Sequence, residues 1–136
     1  MQLFAQRQRK RAVYALLVLV VIGAGLASRK FPHFLPAQLG KYPGDALWAM
    51  MMFFILGALK PKWPSAATGV LALFVCYVVE FSQLLQPQWL VTIRQTTLGH
   101  LILGSHFHAQ DLVAYAVGIF AGVLVELLAI PSEPSA

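Results

Sequence analysis

Five acids stand against ten Lys and Arg in this chain of 136 residues, and three of them, Asp45, Glu80 and Asp111, sit at the start of or within apolar runs. A carboxyl group at membrane depth is expensive, so it marks a site by default, with a partner to be named. Glu80 and Gln83 are three apart and Tyr77 precedes Glu80 by three, which puts all three on one helical face. Such a pair accepts hydrogen bonds from hydroxyl or ammonium groups. Arg94 adds a planar fork suited to phosphate or carboxylate.

These residues allow three kinds of chemistry. As a binding site, Asp45, Glu80, Gln83, Arg94, Thr97, His100 and Asp111 hold the polar head group of a lipid or an envelope precursor. As a catalyst, Glu80 and His100 form a base and acid pair, with Arg94 steadying a developing anion. There is no Gly-x-Ser-x-Gly elbow to support acyl transfer. As architecture, Glu80 and Arg94 form a buried ion pair that fixes a loop, since a buried charge is tolerated only when paired. In that reading Asp45 and Asp111 are helix N-terminal acids set against the macrodipole. A metal is a minor alternative, resting on His106, His108 and Asp111 with His100, and no cofactor is expected. The single Cys76 excludes an internal disulfide and reads as a small packed residue.

The elements that must position these groups are membrane helices. Hydrophobic residues make up 59% of the chain and charged ones 11%, with mean hydropathy +0.71; a soluble domain carries about 25% charged residues. Four apolar stretches predict spans over 12–28, 45–60, 65–86 and 111–130. A basic segment, 1–11, precedes them, and 131–136 reads as a disordered tail. The first stretch also has the outline of a signal peptide, but the remaining chain is itself apolar and gains nothing from secretion. The fold class is an all-α integral membrane bundle. Its fourth span carries Gly118-x-x-x-Gly122, a spacing that permits close helix packing, either within the monomer or between copies. Four short helices enclose no transport path alone, so transport would require oligomers or a larger membrane partner.

Between the third and fourth spans, 89–103 has an amphipathic helical pattern. Leu90, Ile93, Leu98, Leu101 and Ile102 form its apolar stripe; Thr92, Gln95, Thr96, Gly99 and His100 oppose them. It is too short and polar for a fifth span, so an interfacial or re-entrant helix is expected. Arg94 and Thr97 fall on the apolar stripe, which turns Arg94 toward the bundle and an acid. The cations Arg7, Arg9, Lys10 and Arg11 before the first span place both termini in the cytoplasm by the positive-inside rule. They lie at span ends, which argues for topology and against nucleic acid. Asp45, Glu80 and Asp111 then converge near the outer side, and Glu126 reaches the inner interface.

Ordered motifs carry a resemblance: Arg29-Lys30-Phe31-Pro32, Gly44-Asp45-Ala46-Leu47-Trp48, Glu80-Phe81-Ser82-Gln83, Arg94-x-x-Thr97-Leu98-Gly99-His100, Leu103-Gly104 and Asp111-Leu112-x-Ala114-Tyr115-x-x-Gly118. Together they resemble a family of small bacterial membrane proteins known as domain-of-unknown-function family 2809, over about residues 12–128. The order of acid-x-x-Gln, Arg and Asp opening a Gly-containing helix is also similar to the broader VanZ-like group. That group has an Asn about one turn after the Asp, where this chain has Ala114 or Tyr115. The resemblance implies the bacterial cytoplasmic membrane and no particular reaction.

Overall fold

A computed structural model describes residues 3–30, 42–103 and 108–130. The chain order is α1 (Arg11–Lys30), α2 (Tyr42–Leu59), α3 (Ser65–Ser82), α4 (Gln88–Arg94), α5 (Thr97–Leu103) and α6 (Ala109–Ala129). No strand occurs among the described residues. Helices α1, α2, α3 and α6 are each long and apolar enough to cross a membrane, since 18 residues rise about 27 Å. Their outward faces carry Leu16, Leu19, Val70, Phe74, Val117, Phe120 and Leu128, all exposed in the isolated chain. This is the inside-out pattern that lipid rewards. The tail 131–136 lies outside the described residues.

Helix α2 is apolar on every side because it is the central element, packed against α1, α3 and α6. Its buried Ala49, Phe53 and Phe54 meet Tyr14 of α1, Ala72 and Cys76 of α3, and Ile119 of α6. The Phe53 and Phe54 rings meet edge-on at 5.6 Å, and Tyr14 meets Phe54 likewise at 5.9 Å. Cys76 is a buried free thiol in this core. The Gly118 spacing serves the inside of the monomer: a β-carbon there would run into the carbonyl oxygen of Ala46 on α2.

A polar cluster that sequence reasoning missed holds the end of the bundle where the chain termini meet the α2–α3 loop. Glu126 is 0% exposed, so its carboxylate meets protein groups alone. Both its oxygens accept from Arg9, at 2.7 Å from Nε and 3.0 Å from Nη2, and Tyr14 Oη and Ser65 Oγ donate to it as well. Arg9 Nη1 donates to the carbonyls of Lys60 and Trp63, and Nη2 also reaches Thr68 Oγ1 at 3.3 Å. Every guanidinium donor of Arg9 is thereby engaged. Two backbone bonds, Arg7 N–H to Lys62 O and Arg9 N–H to Pro61 O, hold the N-terminal segment against the loop. Helix α3 starts after Pro64 without a side-chain cap, and Leu3 O accepts the orphan N–H of Ala66 instead. Of the arginines in the basic cluster before α1, Arg7 and Arg9 are therefore internal ties, while Arg11 is exposed.

The interfacial helix expected over 89–103 is two helices, α4 and α5, with a break at Gln95 and Thr96. Thr96 is the reason. Its hydroxyl donates to Ile93 O at 2.7 Å and accepts the Gly99 N–H at 3.0 Å, capping α5 with the bond that a continuous helix would not need. Gly99 permits the fold-back, because a β-carbon there would strike Ile93 O. The third span also ends earlier than expected, at Ser82, in a turn where Leu84 and Leu85 bond three residues back.

Two outcomes are expected from thermal unfolding in detergent. Glu126→Ala should cost about 3–5 kcal/mol by leaving Arg9 buried without its acid, and the double change Arg9→Met with Glu126→Leu should recover most of that loss. Gly118→Leu should cost at least about 3 kcal/mol by forcing α6 off α2, whereas Gly23→Ala, at a position with nothing within 4 Å, should be neutral or gain up to about 1 kcal/mol.

Candidate functional site

The opposite end of the bundle carries the predicted polar residues. Helix α3 supplies Glu80 and, at its C-cap, Gln83, α6 supplies Asp111 and Tyr115 one turn apart, and α2 supplies Asp45 and Trp48. Glu80 is 0% exposed. Tyr115 Oη donates to its Oε2 at 2.7 Å, and the backbone N–H of His108, just ahead of α6, donates to Oε1 at 2.9 Å. Tyr77 Oη reaches Leu112 O at 3.2 Å, a second tie between α3 and the start of α6.

All three acids lie at this end of the bundle: Glu80 accepts from Tyr115, Asp45 is in the first turn of α2 and Asp111 in the first turn of α6. The Trp48 ring stands 5.7 Å from the Tyr115 ring. Asp111 is buried and Asp45 partly so. No group of three Asp, Glu, His or Cys side chains among the described residues is close enough to hold a metal ion. His106 lies outside the described residues. The His108 side chain is exposed, and only its backbone meets Glu80.

Arg94 does not pair with Glu80. It is turned inward and only 4% exposed, as its place on the apolar stripe requires, but its fork closes on carbonyls. Nη1 donates to Leu85 O and Nη2 to Ser82 O, each at 2.8 Å. The physical reason is proximity: the turn that follows α3 turns the carbonyls of Ser82 and Leu85 toward Arg94, and a carbonyl oxygen has a second lone pair free to accept even where, as at Ser82, it already takes the Leu85 N–H. Arg94 thus ties α4 to the end of α3, adding to the backbone bonds that already close that end. Gln83 is buried and donates from Nε2 to Leu103 O at 2.6 Å, while its Oε1 has no hydrogen-bond partner.

His100 and Thr97 are exposed on α5. Neither side chain is hydrogen-bonded to Glu80, whose partners are Tyr115 and His108, so the proposed acid and base are not assembled as a pair. The partner that sequence reasoning missed is the Tyr115 hydroxyl. Its signal was present in the i, i+4 spacing from Asp111, which aims both side chains at one neighbour.

Two apolar clefts flank this end of α2. One, of about 330 Å³, lies between α1, α2 and α5 and is lined by Val21, Gly25, Gly44, Leu47, Trp48 and Leu98. The other, of about 490 Å³, lies between α2 and α6 beside Tyr42, Ala46, Val113 and Val117.

Residues 34–119 match a family model described as protein of unknown function, DUF2809. The chain belongs to this family. The matched stretch contains Asp45, Glu80, Gln83, Arg94, Asp111 and Tyr115, and leaves out Arg9 and Glu126. The acid cluster therefore lies within the DUF2809 region, while the Arg9–Glu126 tie is built from what flanks it. No solved structure matches this chain.

A double-mutant cycle on Glu80→Gln and Arg94→Lys distinguishes this geometry from a direct ion pair. Separate partners predict a coupling below about 0.5 kcal/mol, whereas a shared buried pair would couple by up to about 3 kcal/mol.

Proposed function

We propose that this member of DUF2809 is a lipid-binding protein of the bacterial cytoplasmic membrane, with both termini in the cytoplasm. Its ligand is a membrane lipid or a lipid-linked envelope precursor, whose head group sits at the outer end among Asp45, Glu80, Gln83 and Asp111. The observation that supports this reading is Glu80. It is wholly buried, and its two hydrogen bonds come from neutral donors.

A carboxylate has about four acceptor positions, so two remain open on Glu80. A buried charge without a counter-charge is costly, and a ligand cation offsets that cost. The unpartnered Gln83 Oε1 adds a further acceptor. With Arg94 committed to the end of α3, the site favours a head group that donates, carrying an ammonium or hydroxyls. The flanking clefts are apolar and suit the chains of such a molecule.

Phosphatidylethanolamine added to the detergent-solubilised protein should raise its Tm by about 5 °C at saturation. Glu80→Gln should stay folded and lose that rise. Equal stabilisation of the two proteins would defeat the reading, and loss of folding without any lipid dependence would make Glu80 purely structural.

A further inference from the structure

The tie at the terminal end of the bundle is unbalanced in charge. Arg7 and Arg9 are 2% and 8% exposed, and they share the single carboxylate of Glu126. Arg9 and the two hydroxyls already satisfy that carboxylate, with four donors on its two oxygens. Arg7 is left at the margin: its Nε is 3.5 Å from Glu126 Oε1, its Nη2 donates to Ile130 O at 2.7 Å, and its Nη1 has no acceptor. Among the described residues one positive charge is therefore buried in excess. Removing a guanidinium from water without an anion is a large penalty.

Arg7 also lines a cavity of about 30 Å³, together with Arg9, Lys10, Val13, Tyr14 and Ile130. A cavity of this size admits one or two water-sized atoms. It cannot enclose a whole phosphate, but it can take one of its oxygens, with the phosphorus at the mouth beside the exposed Lys10. Val13, on the outward face of α1, forms the lipid side of that mouth.

We infer that Arg7 is an anion site for a phosphate group, whose oxygen enters this cavity and supplies the acceptor that Arg7 Nη1 lacks. The chemistry is that of a phosphomonoester or phosphodiester, and the source is either an anionic phospholipid at the membrane surface or free phosphate. The site is independent of the Glu80 site, which lies at the other end of the helices.

The test is the Tm of the full chain in a maltoside detergent, with inorganic phosphate, phosphatidic acid or phosphatidylcholine added in turn. Phosphatidic acid should raise Tm by about 5 °C at saturation, and phosphatidylcholine should not. Arg7→Gln should remove the rise and Glu80→Gln should keep it. A rise with phosphatidic acid alone identifies a lipid as the source; a rise with inorganic phosphate as well identifies the oxyanion itself. Should Arg7→Gln fail to fold, Val13→Phe blocks the mouth without touching Glu126 and must remove the rise instead. No rise with either anion, an equal rise with phosphatidylcholine, or a rise undiminished in the folded variant overturns the inference.

Discussion

The bond between Arg9 and Glu126 is the constraint on which the bundle depends. Hydrocarbon offers no hydrogen bonds, so an acid buried near the end of an apolar helix must be satisfied by the protein itself. Glu126 takes its donors from the N-terminal segment, from Tyr14 of α1 and from Ser65 of α3. Helix α1 is otherwise held mainly by α2. The tie therefore sets the rotation of α1 and α6 about their axes and holds the α2–α3 loop against the N-terminal segment. Buried ion pairs seldom add net stability over an apolar core. Here the pair's contribution is to specify one arrangement among several that equally apolar helices would allow.

The two ends of the bundle carry opposite surpluses. At the terminal end two guanidinium groups face one carboxylate; at the other, Glu80 accepts from the Tyr115 hydroxyl, and Asp45 and Asp111 stand on the neighbouring first turns of α2 and α6. Between them lies an apolar middle, and beside the acidic end α2 and α6 touch backbone to backbone, Ala46 against Gly118. That close contact fixes the phase of α6, and so determines that Asp111 and Tyr115 face Glu80 at one end while Glu126 faces Arg9 at the other.

Arg94 shows how a short-range demand outweighs a long-range one. Its side chain turns inward because it lies on the apolar stripe, and an inward cation needs acceptors. The carbonyls of Ser82 and Leu85, at and just beyond the end of α3, accept at 2.8 Å and cost no rearrangement. Thr96 acts in the same local way, since its hydroxyl caps α5 and divides what the hydrophobic pattern alone describes as a single helix.

The amino-acid sequence by itself determined the membrane character, the four spanning helices and the end of the bundle at which Asp45, Glu80 and Asp111 lie. Partition into lipid depends on composition and on runs of about 20 residues, and both can be read along the chain. Which groups pair with one another was decided by the tertiary structure. Arg9 and Glu126 are 117 residues apart, and Glu80 meets Tyr115 rather than Arg94 because of the rotation of α6 and the early end of α3. Helical spacing tells which residues share a face. It does not tell which neighbour that face meets, because the phase between two helices is set by contacts such as Gly118 against Ala46, which belong to neither helix alone.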